Sequence, residues 1–373
     1  MEGRAAIRRC CPIGHVPQVV AINLCCWRGN CQHQWVKFSI QLSADYPDKS
    51  YGGDRVYQDM LDQAVLADAL GFDAVNVTEH HLVNCLMMPA PLQFAVKIAA
   101  HTQRLKIMTS VAVLPLHDMR VFAGEVVVAD IFTDGRLMLG VGRGAFGYEM
   151  ERMGVPMTET RPRFNESLDV LMALLNEEEV SWAGDYYTFD PLTIMPRPVR
   201  PGGPPIVMAV MNPEGIYQST KRGFHIQTTA LSGSHQMLLE QVASYTRAKE
   251  ELGPAGEHLT LSLSRLAFVT ESAADRQAKV EAAHAYYGRF DNIFTGPGIV
   301  DNGVIRPLPR EQTIEDLAAS QLICTPQEMV EKLRPYAEMD IDRVILNFNF
   351  GVDAEETLNA IRLFADQVMP AFN

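Results

Sequence analysis

Side chains that can exchange protons or bind anions follow several short apolar runs of this 373-residue chain. The groups are Thr78-Glu79-His80-His81, Leu114-Pro115-Leu116-His117, Gly140-Val141-Gly142-Arg143-Gly144, Met211-Asn212-Pro213-Glu214, and the pair Asn347 and Asn349. An imidazole titrates near neutral pH and suits proton transfer or hydrogen bonding beside a bound ring. His80 is therefore a candidate for such a role, with a structural histidine as the alternative interpretation. An arginine among glycines, as at Arg143, suits a phosphate or a carbonyl-rich ring.

Two other interpretations of these motifs are not favoured. Adjacent residues of a strand point to opposite faces, so His80 and His81 are not expected to hold one metal ion, and we predict no metal site. Residues 142–147 formally match the pattern G-x-G-x-x-G. They follow a fourth predicted strand rather than a first, and residues 148–160 are not predicted to open a helix directly, so a dinucleotide site is not predicted. The glycines are instead expected to let the backbone approach a ligand.

Asn212, Pro213 and the residues after them predict the start of a helix. Asn212 would be its N-cap and Pro213 its first helical residue. Ordinary capping is one interpretation of this pattern. The other is an anion site, because the unpaired N–H groups and the dipole of a helix start favour a phosphate.

The elements that must position these groups alternate between strand and helix from residue 37 to the end of the chain. Strands are predicted at 37–42, 72–77, 105–113, 136–141, 206–210, 224–229, 261–269 and 343–348. Helices are predicted at about 54–70, 89–101, 119–132, 162–176, 213–222, 234–252, 273–287, 326–337 and 354–369. This alternation predicts an α/β fold, a (β/α)8 TIM barrel, with a doubly wound sheet as the alternative. In a barrel the carboxyl ends of the strands share one face, which would bring the polar groups together.

Two stretches are longer than ordinary connections between elements. Residues 178–204 contain Trp182, Gly184 and Tyr186 before a proline-rich tail, and they predict a small hairpin insertion. Residues 288–325 are rich in glycine, proline and asparagine. They are expected to form either a lid over an active site or a mobile surface loop.

The first 35 residues differ from the rest of the chain. They hold five of the seven cysteines and four arginines against one glutamate, and they show no helical or strand period. We expect a disordered or artefactual leader at residues 1–35 and one barrel domain at 36–373, with translation of the native protein starting at Val36. N-terminal sequencing of the protein from its own host tests this expectation, since a mature start at Met1 would contradict it.

Charge and hydropathy exclude several classes of protein. The chain has 45 acidic and 32 basic side chains and a formal net charge of −13, which argues against a nucleic-acid-binding protein. No apolar run reaches the roughly 18 residues that a membrane span needs. Beyond the leader only Cys85 and Cys324 remain, which fits a reducing cytoplasm.

These residues, in this order, resemble the bacterial luciferase-like flavin-dependent monooxygenases, and the resemblance covers nearly all of the chain after the leader. Its most specific parts are Gly71-Phe72-Asp73, Glu79-His80-His81, the run from Asp134 to Gly144, Gly154-Val155-Pro156, and Asn347-Phe348-Asn349-Phe350-Gly351. Luciferase itself has a cysteine where this chain has Gly142, which argues against light emission.

The resemblance implies a dimeric TIM barrel that binds reduced FMN, supplied by a separate flavin reductase, and uses O2 to oxygenate a small organic substrate. It implies that His80 is the catalytic histidine beside the flavin and that Glu79 supports it. It also implies that Arg143 contacts the flavin, with the backbone at Gly142 and Gly144. Met211, Asn212 and Gly215 match the turn and helix start that hold the FMN phosphate.

Two alternatives for the function stay open. One is a deazaflavin-dependent hydride-transfer oxidoreductase on the same barrel, and the other is a non-catalytic flavin-binding protein. The presence of His80 and Arg143 argues against the non-catalytic alternative. The organic substrate is not indicated, because substrate contacts in such barrels lie in variable loops.

Overall fold

The computed structural model describes residues 36–46, 48–229 and 235–372. The predicted leader at residues 1–35 lies outside the described residues, so the domain boundary at residue 36 stays a prediction. The strands, in chain order, are β1 (Lys37–Leu42), β2 (Ala74–Val77), β3 (Lys106–Thr109), β4 (Ala112–Val113), β5 (Leu137–Gly142), β6 (Val180–Ala183), β7 (Thr188–Leu192), β8 (Ile206–Ala209), β9 (His225–Thr229), β10 (Leu261–Val269), β11 (Val300–Asp301), β12 (Val304–Ile305), β13 (Leu322–Cys324) and β14 (Arg343–Asn347).

The helices lie mainly between the strands. They are α1 (Gly53–Leu70), α2 (Pro91–Ala99), α3 (Met119–Phe132), α4 (Gly147–Arg152), α5 (Thr160–Asn176), α6 (Pro213–Lys221), α7 (His235–Leu252), α8 (Ala273–Phe290), α9 (Ile314–Ser320), α10 (Pro326–Ala337) and α11 (Ala354–Gln367). In the described part of the chain, none of these helices is long and apolar enough to cross a bilayer.

Eight parallel strands close into a barrel. Their order is β1, β2, β3, β5, β8, β9, β10 and β14, and β14 pairs again with β1. Ser39 lies opposite Ala74 on one side and Ile345 on the other, which fixes the register around the closing strand. The predicted (β/α)8 barrel is therefore confirmed, and the doubly wound sheet is excluded.

Apolar side chains pack on both sides of the barrel wall. Inside it, Met108, Val207 and Ile345 form a separate cluster with Met138, contributed by four different strands. Outside it, the larger core fills the space between strands and helices. There Phe364 of α11 makes edge contacts with Phe38 of β1, whose ring centroid lies 5.1 Å away. The barrel wall is thus buried on both faces, as the continuous apolar strands predict.

Glycine is required where the chain turns or where strands approach closely. Gly71 ends α1 with a φ of 96°, in the left-handed region where a Cβ atom is strained. Gly140 has no such φ, but a Cβ atom there would lie 1.9 Å from the carbonyl oxygen of Thr109 on the neighbouring strand. Gly71 thus ends a helix before a strand, whereas Gly140 lies within β5.

The structure agrees with the prediction for residues 178–204 and differs in part from that for residues 288–325. The predicted hairpin is confirmed, since β6 and β7 pair antiparallel and the carboxylate of Glu166 accepts hydrogen bonds from the backbone N–H groups of Asp185, Tyr186 and Tyr187 at its turn. Residues 288–325 are not one long loop, because they contain the β11–β12 hairpin, α9 and β13. The expectation that residues 148–160 open no helix is also wrong, since α4 begins at Gly147.

Candidate active site at the carboxyl end of the barrel

The polar groups singled out in the sequence meet at one end of the barrel. His80, Arg143 and Asn212 follow β2, β5 and β8, and these strands run parallel, so all three residues lie at the carboxyl face. β5 and β8 are direct neighbours, with Val141 opposite Met208. Arg143 and the turn at Met211 therefore follow adjacent strands, as a shared ligand would need.

Three contacts fix His80: a backbone bridge, a hydrogen bond to one ring nitrogen and stacking on one ring face. Its backbone pairs with that of Met88 in an isolated bridge. Its Nδ1 atom lies 3.0 and 3.2 Å from the two carboxylate oxygens of Glu149 in α4. Its ring stacks on Phe146, with centroids 4.1 Å apart and an angle of 18° between the planes. The Nε2 edge is the one that these contacts leave available to a ligand.

Glu79 is completely buried and supports other histidines than the resemblance implies. Its Oε1 atom lies 2.9 Å from Nε2 of both His81 and His117, and its Oε2 atom accepts the backbone N–H of Val113 at 2.7 Å. The expected contact with His80 is wrong, because successive residues of an extended chain point to opposite sides and Glu149 takes that place. The Glu79 carboxylate therefore joins the ends of β2 and β4 to the turn before α3.

The electrostatic interactions in this buried cluster favour an ionised Glu79 and a protonated His81. Burial alone would raise the pKa of Glu79, but the hydrogen bonds from His117 and His81 outweigh it and hold that pKa below its usual range. The hydrogen bond to Glu79 in turn raises the pKa of His81, against a smaller opposing effect of burial. The ionised carboxylate and a protonated His81 thus stabilise each other.

Arg143 lies in a locally cationic part of the site. Its Nη1 atom donates to the hydroxyl of Thr160 at 3.1 Å. Partial burial and the nearby charge of Arg161 lower the pKa of Arg143. Two neighbouring arginine charges fit an anionic group.

At the two glycines beside Arg143, the space that a side chain would need is filled by neighbouring side chains. A Cβ atom at Gly142 would lie 2.5 Å from a methyl group of Val111, and one at Gly144 would lie 2.5 Å from the sulfur of Met150. The expectation that these glycines let the backbone approach a ligand stays a prediction. Their backbone groups at the end of β5 stay in place as possible contacts.

The start of α6 is built as its sequence predicts. Asn212 is the N-cap, its side-chain oxygen accepts the N–H of Gly215 at 3.1 Å, and Pro213 is the first helical residue. The Met211 carbonyl accepts a hydrogen bond from the side chain of Gln241 at 2.8 Å. The turn is thus fixed from α7 as well as by its own cap.

Polar groups inside the barrel mouth include several without a partner. Ser110 and Ser264 both bond to the side chain of Gln227, which links β3, β9 and β10. Both amide atoms of the fully buried Asn76 and the hydroxyl of Ser43 have no hydrogen-bond partner among the described residues. Unpaired buried polar atoms are costly, so a polar ring or ordered water bound at this face would fit them.

Aromatic side chains cover the site beside His80. Phe146 makes an edge contact with Phe290 at 6.0 Å, and Phe290 lies 5.0 Å from Tyr286. The segment after α8 reaches over the same side, because the backbone N–H of Ile305 donates to Asn84 at 2.9 Å. These contacts are compatible with the predicted lid, which stays a prediction.

Two residues of this site have no clear signal in the sequence. They are Glu149 and Gln227. Glu149 contacts a histidine 69 positions away, and Gln227 contacts a serine 117 positions away, so only the closed barrel brings them together.

Comparison with known proteins agrees with this fold. The family described as luciferase-like monooxygenase matches residues 36–343. The chain is 25% identical over 353 residues to the oxygenase component of a flavin-dependent trigonelline monooxygenase from Acinetobacter baylyi, covering 91% of this chain and 96% of that one. It is 24% identical over 327 residues to an F420-dependent glucose-6-phosphate dehydrogenase from Nakamurella multipartita, covering 84% and 91% of the two chains.

A solved structure shows the same architecture. The oxygenating constituent of 3,6-diketocamphane monooxygenase from Pseudomonas putida, in complex with FMN, has a TM-score of 0.71 and 16% sequence identity, with 90% of this chain and 98% of that chain covered. At that identity the likeness concerns the fold alone. The match to the family profile spans most of the sequence, and this chain belongs to the luciferase-like monooxygenase family.

Proposed function

We propose that this protein is a flavin-dependent monooxygenase, which uses reduced FMN and O2 to oxygenate a small organic substrate. The observation that carries the proposal is the joint placement of His80, Arg143 and Asn212 at one barrel face. A relative that covers 91% of the chain is the oxygenase component of a flavin-dependent monooxygenase. A separate reductase is the proposed source of the reduced flavin, and a homodimer the proposed assembly.

Arg143, Met211, Asn212 and Gly215 are the proposed contacts of the FMN phosphate and of the adjoining chain of the cofactor. Arg143 follows β5 and the N-terminus of α6 follows β8, so an anion between these neighbouring strands would meet a guanidinium and helix N–H groups together. Arg161 adds a second positive charge at this place. The backbone at Gly142 and Gly144 is proposed to lie along the ring.

His80 is the proposed proton-transfer residue beside the flavin ring, which supplies the redox chemistry when it is bound. The imidazole presents its Nε2 edge to the site, since Nδ1 faces Glu149 and one ring face is covered by Phe146. The aromatic contacts around it would keep water away. Glu79 is proposed to act through the framework around His81 and His117, because it does not contact His80.

Titration with reduced FMN under anaerobic conditions, followed by mixing with air, tests the proposal. We expect saturable binding that Arg143→Gln weakens about 10- to 100-fold, the loss of about 1.5–3 kcal/mol of charge-assisted hydrogen bonding. Arg222→Gln is the matched control, because Arg222 is an exposed arginine paired with Asp169. An unchanged affinity in Arg143→Gln would contradict the proposed phosphate contact.

Turnover tests the role of His80. His80→Ala should slow substrate oxygenation about 10²- to 10⁴-fold, the usual contribution of a positioned general acid or base. Its affinity for reduced FMN should stay close to that of the wild type. Unchanged turnover would refute the role of His80 without touching the flavin site.

A deazaflavin-dependent hydride transfer is the second candidate function. The observation in its favour is the similarity to an F420-dependent dehydrogenase over 84% of the chain. Binding of the deazaflavin cofactor F420 and not of reduced FMN in the same titration would replace the monooxygenase proposal with this one. Flavin binding without any oxygenated product, across a substrate screen, would support a non-catalytic flavin-binding protein.

A further inference from the structure

The side chain of Glu149 hydrogen bonds to one side chain among the described residues, that of His80. The carboxylate is buried, with 2% of the side chain exposed, and both oxygens lie within hydrogen-bonding distance of Nδ1. The adjacent Met150 holds α4 in place by packing against Val113 and Val155. The helix that carries Glu149 is therefore also held by apolar packing of the neighbouring residue.

The chemistry of this contact sets the proton position on the ring. When Glu149 is ionised its carboxylate only accepts hydrogen bonds, and Nδ1 then carries the proton that joins it to Glu149. In the neutral imidazole the other nitrogen is then an unprotonated acceptor. Stacking on Phe146 fixes the plane of the ring, and the bridge to Met88 fixes the backbone.

We propose that Glu149 is a positioning residue that holds His80 in the Nδ1–H tautomer and so presents Nε2 as the atom that exchanges protons in the active site. The contact and the tautomer are argued from the geometry of this site, whereas the consequence for turnover rests on the proposed function. Glu79, the carboxylate next to His80 in sequence, does not take this role, because it is already hydrogen bonded to His81 and His117.

Nuclear magnetic resonance of the protein without cofactor tests the tautomer directly. Protein with nitrogen-15 in its histidine rings gives separate signals for Nδ1 and Nε2, and the His80 signals are those that disappear in His80→Ala. We expect the Nδ1–H form in the wild type. Glu149→Gln should retain it, because the amide oxygen still accepts, whereas Glu149→Leu should shift His80 toward the Nε2–H form.

Glu151→Leu is the matched control, since Glu151 lies on the same helix and is exposed. It should leave the His80 signals unchanged. A wild-type His80 in the Nε2–H form would overturn the proposal, and so would an unchanged His80 spectrum in Glu149→Leu. Circular dichroism of Glu149→Leu checks that the barrel is folded, and if it is not, Glu149→Ala takes its place in the same comparison.

The kinetic consequence is measured separately. Glu149→Leu should lower kcat about 10²-fold, the lower end of what a positioned general acid or base contributes, with the dissociation constant of reduced FMN within about twofold of the wild type. Glu149→Gln should recover most of the rate. If the wild type oxygenates no substrate, the function proposal fails, while the tautomer experiment still decides the role of Glu149.

Discussion

Replacing Glu79 by alanine removes the acceptor of three hydrogen bonds at once. The donors are Nε2 of His81, Nε2 of His117 and the backbone N–H of Val113, at 2.9, 2.9 and 2.7 Å. The carboxylate is completely buried, so water cannot replace it at the same place. Breaking a buried charged pair by removing one partner costs about 3–5 kcal/mol. We expect a loss of free energy of unfolding of that size in Glu79→Ala.

Urea unfolding followed by circular dichroism at pH 7 measures this loss, with thermal unfolding as a second readout. At about 2 °C per kcal/mol, the lower end of the range for large domains, the melting temperature should fall by about 6–10 °C. Glu178→Ala is the control, because its side chain is 83% exposed and faces Arg197 at 3.8 Å. The control should lie within about 0.5 kcal/mol of the wild type. A loss below about 1 kcal/mol in Glu79→Ala would refute the reasoning.

The pH dependence of stability gives an independent check on the same cluster. The folded pKa of Glu79 is lowered, so its contribution is present above the ordinary carboxyl value of 4.5 and is lost as pH falls through the folded value. The folded pKa of His81 is raised, so its contribution is present below the ordinary value of 6.5 and is lost as pH rises through the folded value. The stability difference between the wild type and Glu79→Gln should therefore be larger at pH 6 than at pH 9.

Two further predictions concern the fold. Gly140→Ala should destabilise the barrel by about 3 kcal/mol or more, because the added Cβ would lie 1.9 Å from the backbone oxygen of Thr109. Gly71→Ala should cost only the strain of the left-handed backbone conformation, about 1–2 kcal/mol, since its added Cβ would have no atom within 4 Å. Urea unfolding of both variants checks this order, and the reverse order would contradict it. Phe364→Ala should cost about 3–5 kcal/mol in the same assay, whereas Phe132→Ala, at a position 62% exposed, should cost less than about 1 kcal/mol; equal losses would refute the packing argument.

The strands after Gly71, Gly135 and Gly223 could be predicted from sequence because two signals agree at each of them. Glycine after a helix, as at Gly71, marks where the chain reverses, and the following apolar run is too short for a helix. The short elements could not be found in this way. The six residues of α4 bury only Glu149 and Met150, which gives no helical period to detect. In 288–325, β13 has three residues and becomes a strand only by pairing with β10.

In the site, too, the positions of residues at strand ends could be predicted from sequence, whereas their contacts with residues of other loops could not. Strand ends fix where His80, Arg143 and Asn212 must lie, so the carboxyl face could be predicted from their order alone. The partners of these residues depend on which loops meet above the barrel. Glu149 and Arg161 come from the connection after β5, whose path is set by packing of Met150 and Val155 against Val113.

The adjacent histidines of the Glu-His-His motif are separated by the geometry of an extended chain. His80 turns toward Phe146 and Glu149, and His81 turns toward Glu79. Each histidine thus has its own carboxylate, one from the next loop and one from its own motif. Because Glu79 ties together segments of the framework, a change at Glu79 should act mainly on stability. Among the described residues the side chain of Glu149 hydrogen bonds only to His80, so a change at Glu149 should act mainly on the chemistry of the site. The two effects should be coupled in the double variant, since the charge of Glu149 also raises the pKa of His81, the partner of Glu79.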